Sequence, residues 1–207
     1  MLRVAVFASG TGTNLSAIVD AARSAPGFFA VALVIVSRAD AGAGARAAAA
    51  GIPCAHISSA THATAAERDD AMLELLAAHR VDLIALAGYL KRISPYFIAR
   101  FGKPILNIHP ALLPEFGGQG MYGCRVFEAV LASGAKASGV TIHLVDEQYD
   151  HGPIVFQEAI AVLDGDTVES LAARTQALEH RAYPLVLRRI AEGEIDVGGG
   201  GSDRRSG

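Results

Sequence analysis

The feature that most constrains the fold is a repeating order of short, mainly apolar segments and longer segments of helical periodicity. The apolar runs at residues 3–8, 29–37, 81–88 and 104–108 have the length of strands and little polar alternation, which predicts strands buried on both faces. The segments between them carry apolar residues at helical spacing, as in "NLSAIVDAARS" after the first run. This alternation predicts an α/β fold, in which a Rossmann-like, mostly parallel sheet has helices on both faces.

The last third of the chain departs from this order. Two consecutive strand-like segments, 137–145 and 153–162, are separated only by a polar loop, which predicts an antiparallel C-terminal extension of the sheet. A final helix is predicted from about residue 167 to residue 190. One domain over residues 1–192 accounts for this organisation, and the glycine-rich remainder, residues 193–207, predicts a disordered tail.

Composition and charge exclude several classes of protein. The formal net charge of −3 provides no basic surface for a nucleic-acid partner, and no apolar run approaches the roughly 20 residues that span a bilayer. The start, "MLRVAVFASG", predicts a strand that enters a glycine loop and has no signal-peptide pattern. Cys54 and Cys124 are far apart and lack the spacing of metal ligands, so reduced thiols in a cytoplasmic protein are expected.

A glycine loop, "ASGTGTNLSAI", joins the first predicted strand to the first helix. Gly10 and Gly12 match the start of a dinucleotide-binding motif, but the third glycine is absent, and Ser37 stands where an acidic residue would close the second strand. Main-chain N–H groups at a helix N-terminus, beside Thr13 and Asn14, suit a single phosphate. The alternative is a tight turn in which Thr13 or Asn14 caps the helix without any ligand.

The segment "NIHPALLP" carries the second candidate site. Asn107 and His109 are two residues apart at the end of a predicted strand, so they share one face while Ile108 faces the core. A carboxylate from the polar loop "DEQYDHG", either Asp146 or Asp150, can join them from the neighbouring strand pair. An amide, an imidazole and a carboxylate without a serine or cysteine nucleophile suit acyl transfer to an external amine.

A metal centre is the weaker interpretation of the polar residues. His109, His143 and His151 could be ligands, but no pair among them has the helical spacing of four residues that builds many zinc sites. We therefore expect no metal.

Several motifs, in this order, resemble those of the phosphoribosylglycinamide formyltransferases, a branch of the formyl-folate transferase and hydrolase superfamily. They are "SGTGTNL", "AGYLKRIS", "LNIHPALLP", "GVTIHLVDEQYDHGPIVFQ" and "TQALEHRAYPLV". The resemblance runs from about residue 2 to residue 190. It implies transfer of the formyl group of 10-formyltetrahydrofolate, as co-substrate, to the amine of glycinamide ribonucleotide in purine biosynthesis. It also implies Asn107, His109 and Asp150 as catalytic residues, with a protonated His109, and so selects Asp150 over Asp146.

The same resemblance implies the binding residues. The ribonucleotide phosphate is expected at Gly12, Thr13 and Asn14, and its sugar at Gln176 and Glu179. The folate positions are Leu90, Lys91, Arg92, Asn107, Val145, Asp146 and Asp150. Small molecules are thus the expected partners of a monomer or homodimer.

Two departures and two alternatives qualify the resemblance. The stretch between Gly117 and Arg125 is longer than in much of the family and lacks its histidine, and its glycines predict a mobile loop. Lys91 stands where the family usually has arginine, and lysine cannot copy a bidentate contact.

The alternatives are 10-formyltetrahydrofolate hydrolase, which passes the formyl group to water, and a phosphate-binding protein without catalysis.

Overall fold

The computed structural model describes residues 1–198, and its centre is a seven-stranded sheet with the strand order β3-β2-β1-β4-β5-β6-β7. The strands are β1 (Leu2–Ala8), β2 (Phe29–Val36), β3 (Cys54–His56), β4 (Leu83–Leu86), β5 (Ile105–His109), β6 (Ala137–Leu144) and β7 (Ile154–Ala161). The helices are α1 (Thr13–Ser24), α2 (Gly42–Ala49), α3 (Ala65–Ala78), α4 (Pro95–Phe101), α5 (Cys124–Ser133) and α6 (Val168–Glu192). Within the described residues, no helix is long and apolar enough to cross a membrane.

The strand directions confirm the predicted α/β fold. Strands β1 to β5 pair in parallel, whereas β6 is antiparallel to both β5 and β7. The chain leaves β1 in one direction to reach β2 and returns to β4 on its other side, which creates a switch point between β1 and β4. Ligands of open α/β sheets bind outside the carboxyl ends of the strands at such a point.

Helices cover both faces of the sheet, as predicted. On one face, Val4 and Val6 of β1 belong to a buried cluster with Ile18 of α1 and Tyr183 of α6. On the other face, Phe7 of β1 belongs to a second cluster, which includes Met72 of α3 and Phe97 of α4. The alternation of β1 side chains between the two clusters explains why its sequence is apolar throughout.

Two short-range details differ from the sequence prediction. Helix α4 was not predicted; the Ser94 hydroxyl accepts the Phe97 N–H and Pro95 begins the helix, which is a standard helix start. Helix α5 begins at Cys124, so the predicted loop ends at Gly123 rather than at Arg125. Helix formation is favoured there because Val126, Phe127 and Val130 form a buried apolar stripe.

The chain continues to contact the domain beyond the last helix. Helix α6 ends at Glu192, and residues 193–198, which we expected to begin the disordered tail, continue onto the domain surface. There Ile195 and Val197 pack against the cluster that contains Tyr183. Residues 199–207, the rest of the predicted tail, lie outside the described residues.

Candidate active site

Asn107 and His109 of strand β5 lie on the same face of the sheet, because the side chains of a strand alternate between its two faces. Ile108 points the other way and is buried in the cluster beneath α1 and α6. His109 is buried at the carboxyl end of β5, and Asn107 is half-buried beside it.

The carboxylate that joins them is Asp150, in the loop between β6 and β7. Its Oδ2 atom lies 3.5 Å from His109 Nδ1, and its Oδ1 atom accepts a hydrogen bond from Asn107 Nδ2 at 3.3 Å. Asp146 instead pairs with exposed His151, with 2.7 Å between Oδ2 and Nδ1. The structure therefore brings Asp150, and not Asp146, against the imidazole.

His143 is a fourth polar residue of this cluster, and the sequence interpretation did not identify it except as a metal ligand. Its Nε2 atom lies 3.0 Å from Asn107 Nδ2 and 3.5 Å from Asp150 Oδ1. Its Nδ1 atom lies 2.9 Å from the Leu144 carbonyl, which can only accept, so Nδ1 carries the proton and Nε2 accepts from Asn107. The antiparallel register, which places His143 opposite Asn107, is the signal that would have revealed it.

The ionisation of the cluster differs from the expected protonated imidazole. Burial lowers the pKa of His109, although the Asp150 carboxylate and the Phe116 carbonyl favour the charged ring. Burial acts to raise the pKa of Asp150, but the neighbouring His143 and His109 rings and a hydrogen bond from the Gly118 N–H outweigh it and keep that pKa below its usual range. In the free protein near neutral pH, the site thus contains a carboxylate beside a neutral imidazole.

A cleft of about 600 Å³ opens in front of these residues, within the size range of small-molecule sites. Its walls come from the loops after β4, β5 and β6, from the glycine-rich segment 118–123, and from α1 and α6. The predicted site residues that line it are Asn14, Leu90, Lys91, Arg92, Asn107, His109, Val145, Asp146, Asp150, Gln176 and Glu179. Gly12 and Thr13 directly precede Asn14 in the chain but do not line the cleft.

The glycine loop reaches the cleft through contacts with α6. Gln176 Nε2 donates to Thr13 Oγ1 at 3.2 Å, and Asn14 Nδ2 donates to Glu179 Oε2 at 2.9 Å. The residue that precedes α1 is Gly12, which has no side chain to cap the helix, so the alternative of a Thr13 or Asn14 cap is wrong. Gly12 has a φ of 78°, and a Cβ atom at this position would lie only 2.6 Å from Ala43, so glycine is required there.

Glu179 is the most strongly perturbed carboxyl group of the cleft. Burial raises its pKa to about 7, although the hydrogen bond from Asn14 favours the carboxylate. This group can therefore change its charge near neutral pH while it faces the cleft.

The loop after β4 gives the cleft an apolar and a cationic part. Leu90 is 56% exposed, Lys91 is exposed, and Arg92 donates to the Glu147 carbonyl at 2.9 Å. That bond ties the loop after β4 to the loop that carries Asp150. Among the described residues there is no cluster of three or more histidine, cysteine or acidic side chains arranged to bind a metal.

Comparison with known proteins shows the family of the chain. The family model described as formyl transferase matches residues 2–187. The chain therefore belongs to the formyl transferase family.

Relatives within that family are phosphoribosylglycinamide formyltransferases. The Haemophilus influenzae enzyme is 40% identical over 94% of this chain and 90% of its own length. The chicken trifunctional purine biosynthetic protein adenosine-3 is 39% identical over 97% of this chain, which spans only 19% of that protein. A solved glycinamide ribonucleotide transformylase from Symbiobacterium toebii has a TM-score of 0.88 and 42% identity, over 96% of this chain and 92% of its own.

Proposed function

We propose that this protein transfers the formyl group of 10-formyltetrahydrofolate to the amine of glycinamide ribonucleotide, a step of purine biosynthesis. The observation that carries the proposal is the convergence of Asn107, His109 and Asp150 in the wall of a cleft of about 600 Å³. Two relatives that this chain matches over nearly their full length, from Haemophilus influenzae and Symbiobacterium toebii, are named for this activity.

The first step is attack of the amine nitrogen on the formyl carbon, which forms a C–N bond and a tetrahedral oxyanion. Asn107 is the donor for that oxygen. Both hydrogens of its amide are engaged in the free protein, and the longer bond, 3.3 Å to Asp150, is the one to be exchanged for the oxyanion. A donor of this kind contributes about 3 to 4 kcal/mol to transition-state stabilisation.

The second requirement is to move one proton from the attacking nitrogen to the departing folate nitrogen. The neutral His109 ring and the Asp150 carboxylate are both able to accept that proton, and the charged ring formed in this way can donate it again. The bond from the formyl carbon to the folate nitrogen then breaks. The formyl group passes directly between two nitrogens, so no covalent enzyme intermediate is needed.

We assign the ribonucleotide to the α1–α6 end of the cleft and the folate to the other end. The N-terminus of α1 at Gly12, Thr13 and Asn14 offers main-chain N–H groups to the phosphate, and Gln176 and Glu179 accept the sugar hydroxyls. The folate ring is expected along Leu90, Lys91, Arg92, Val145 and Asp146.

The decisive assay supplies 10-formyltetrahydrofolate with and without glycinamide ribonucleotide and follows release of the folate product. Release only with the ribonucleotide supports the proposal, whereas equal release without it identifies the hydrolase. No release in either case, with ribonucleotide bound, identifies a binding protein without catalysis. The Asp150→Asn variant should lose activity, and Asp164→Asn, an exposed change in the β7–α6 connection, is its matched control.

The remaining parts of the proposal are the cytoplasm as the compartment and a monomer or homodimer as the active form. Two exposed free cysteines, Cys54 and Cys124, support a reducing compartment. Cell fractionation and sedimentation analysis of the purified protein test these two points.

A further inference from the structure

The segment Phe116–Gly118 contacts both members of the His109–Asp150 pair through its main chain. The Phe116 carbonyl lies 2.8 Å from His109 Nε2, and the Gly118 N–H donates to Asp150 Oδ2 at 2.9 Å. Two main-chain groups of opposite polarity, two residues apart, are thus directed at the imidazole and at the carboxylate.

The contact with Phe116 determines which nitrogen of His109 exchanges protons. A carbonyl oxygen only accepts, so His109 Nε2 carries a hydrogen in this arrangement. The neutral ring then has its lone pair on Nδ1, the atom 3.5 Å from Asp150 Oδ2. Proton uptake by the ring is directed to Nδ1, beside the carboxylate, instead of to the side that faces Phe116.

The backbone of this segment is held in a conformation that it would not adopt by itself. Phe116 has a φ of 55°, in the left-handed region that residues with a Cβ atom seldom occupy. Asp150, in the facing loop between β6 and β7, has a φ of 52°. The Phe116 side chain packs against the small cluster of Phe127, Val130 and Leu171 from α5 and α6. That packing anchors the strained turn and so fixes the direction of its carbonyl.

Gly117 allows the segment to lie against Asp150. A Cβ atom at Gly117 would collide with Leu113 Cδ2 and would lie 3.3 Å from the Cβ atom of Asp150. A larger residue must therefore displace Leu113, Asp150 or the segment itself, and would change both main-chain contacts.

We propose that the main chain of Phe116–Gly118 is a positioning element for catalysis, which sets the ring tautomer of His109 and orients the Asp150 carboxylate. The α5–α6 cluster supports this element through the Phe116 side chain. The proposal rests on the proposed formyl transfer, because it concerns the same pair of residues. Phe116 and Gly117 act through His109 and Asp150 and need not touch a substrate.

The first test measures the tautomer without any assay of activity. Two-bond nitrogen–proton NMR spectra of the histidine rings report which nitrogen carries the hydrogen, and the His109→Gln variant assigns the His109 signal among the seven histidines. Near neutral pH we expect the neutral ring with hydrogen on Nε2. A ring with hydrogen on Nδ1 would overturn the proposal, and this result stands whether or not the protein transfers formyl groups.

The second test is Gly117→Ala, with Gly44→Ala as the matched control because a Cβ atom at Gly44 meets open space. We expect Gly117→Ala to lower kcat about 100-fold while KM for the ribonucleotide changes little. Loss of the Gly118 N–H raises the pKa of Asp150, so the acid limb of the kcat profile should move to higher pH. An unchanged kcat and an unchanged acid limb would overturn the proposal.

Substitutions of Phe116 keep the test decisive if Gly117→Ala does not fold. Phe116→Gly removes the strain at this φ together with the anchor, whereas Phe116→Leu retains an apolar side chain in the cluster. We expect kcat to fall in Phe116→Gly and to be largely retained in Phe116→Leu. Wild-type kcat and pH profile in Phe116→Gly would overturn the proposal, whereas an inactive wild-type protein would refute the proposed function alone.

Discussion

Replacement of Glu179 by glutamine should make the protein more stable at alkaline pH and weaker in binding its substrate. Burial raises the pKa of Glu179 from 4.5 to about 7. A carboxyl group whose pKa is raised in the folded state lowers stability wherever the unfolded state has already lost the proton. Below pH 4.5 both states hold the proton and the group has no effect; between pH 4.5 and the folded pKa the unfolded state ionises first, so the folded state is progressively destabilised.

The size of the effect follows from the shift. A change from 4.5 to about 7 corresponds to about 3 kcal/mol of unfolding free energy, reached once pH exceeds the folded pKa. Glutamine has no charge to bury, and its Oε1 atom can still accept from Asn14. The stabilisation of Glu179→Gln should therefore be near zero in acid and should raise Tm by roughly 6 to 12 °C in mild alkali.

Urea and thermal unfolding across this pH range measure the difference between Glu179→Gln and the wild type. Glu128→Gln, at an exposed site of α5, is the control and should change stability by less than about 0.5 kcal/mol at every pH. A stability difference that does not vary with pH, or that is largest in acid, would refute the assignment of a raised pKa to Glu179.

The same variant should bind glycinamide ribonucleotide about 10-fold more weakly in alkali, because a neutral amide is a poorer acceptor for the sugar hydroxyls than a carboxylate. Isothermal titration measures that loss. The wild type would then be less stable than Glu179→Gln because it retains a charged group that binding requires, as is common at functional sites.

Three further substitutions test other parts of the structure. His109→Ala should lower kcat by about 100-fold or more with ribonucleotide affinity largely kept, and an equal loss of affinity in titration would show that the ring has a different role. Tyr183→Phe removes a hydroxyl that lies 3.1 Å from the carbonyls of Leu86 and Leu106. The free energy of unfolding in urea should therefore fall by about 1 to 2 kcal/mol, and an unchanged midpoint would contradict this. Asp166→Asn should lower Tm at neutral pH, because hydrogen bonds from Arg174, the Leu163 N–H and Ser170 hold the pKa of Asp166 far below its usual range. The carboxylate stabilises the fold only while it is charged, so the difference in Tm should vanish as the pH falls below the usual range of an aspartate pKa. An equal difference in Tm in strong acid would refute the reasoning.

Much of the architecture could be predicted because it depends on local periodicity. Apolar runs without polar alternation predicted strands covered on both faces, and β1 divides its side chains between two buried clusters. The spacing of Asn107 and His109 predicted a shared face, since successive strand residues alternate. Helix α4 was missed because its seven residues offer too short a pattern for periodicity to detect.

The parts of the site that could not be predicted depend on contacts between distant segments. The pairing of His143 with Asn107 requires the register of β5 against β6, and spacing within one strand carries no information about register. The neutral state of His109 depends on how much chain buries it, and no local pattern records burial. The resemblance implied a protonated ring, whereas the burial of His109 favours the neutral one.

The sequence by itself determined the alternation of strands and helices, the shared face of Asn107 and His109 and the glycine turn before α1, because each depends on neighbouring residues alone. Residue spacing left Asp146 and Asp150 as equal candidates, and the tertiary structure shows that Asp150 approaches the imidazole while Asp146 pairs with His151. The tertiary structure alone revealed that Phe116 and Gly118 contact the catalytic pair. These contacts join residues from separate loops, whose closure depends on the packing of the whole domain.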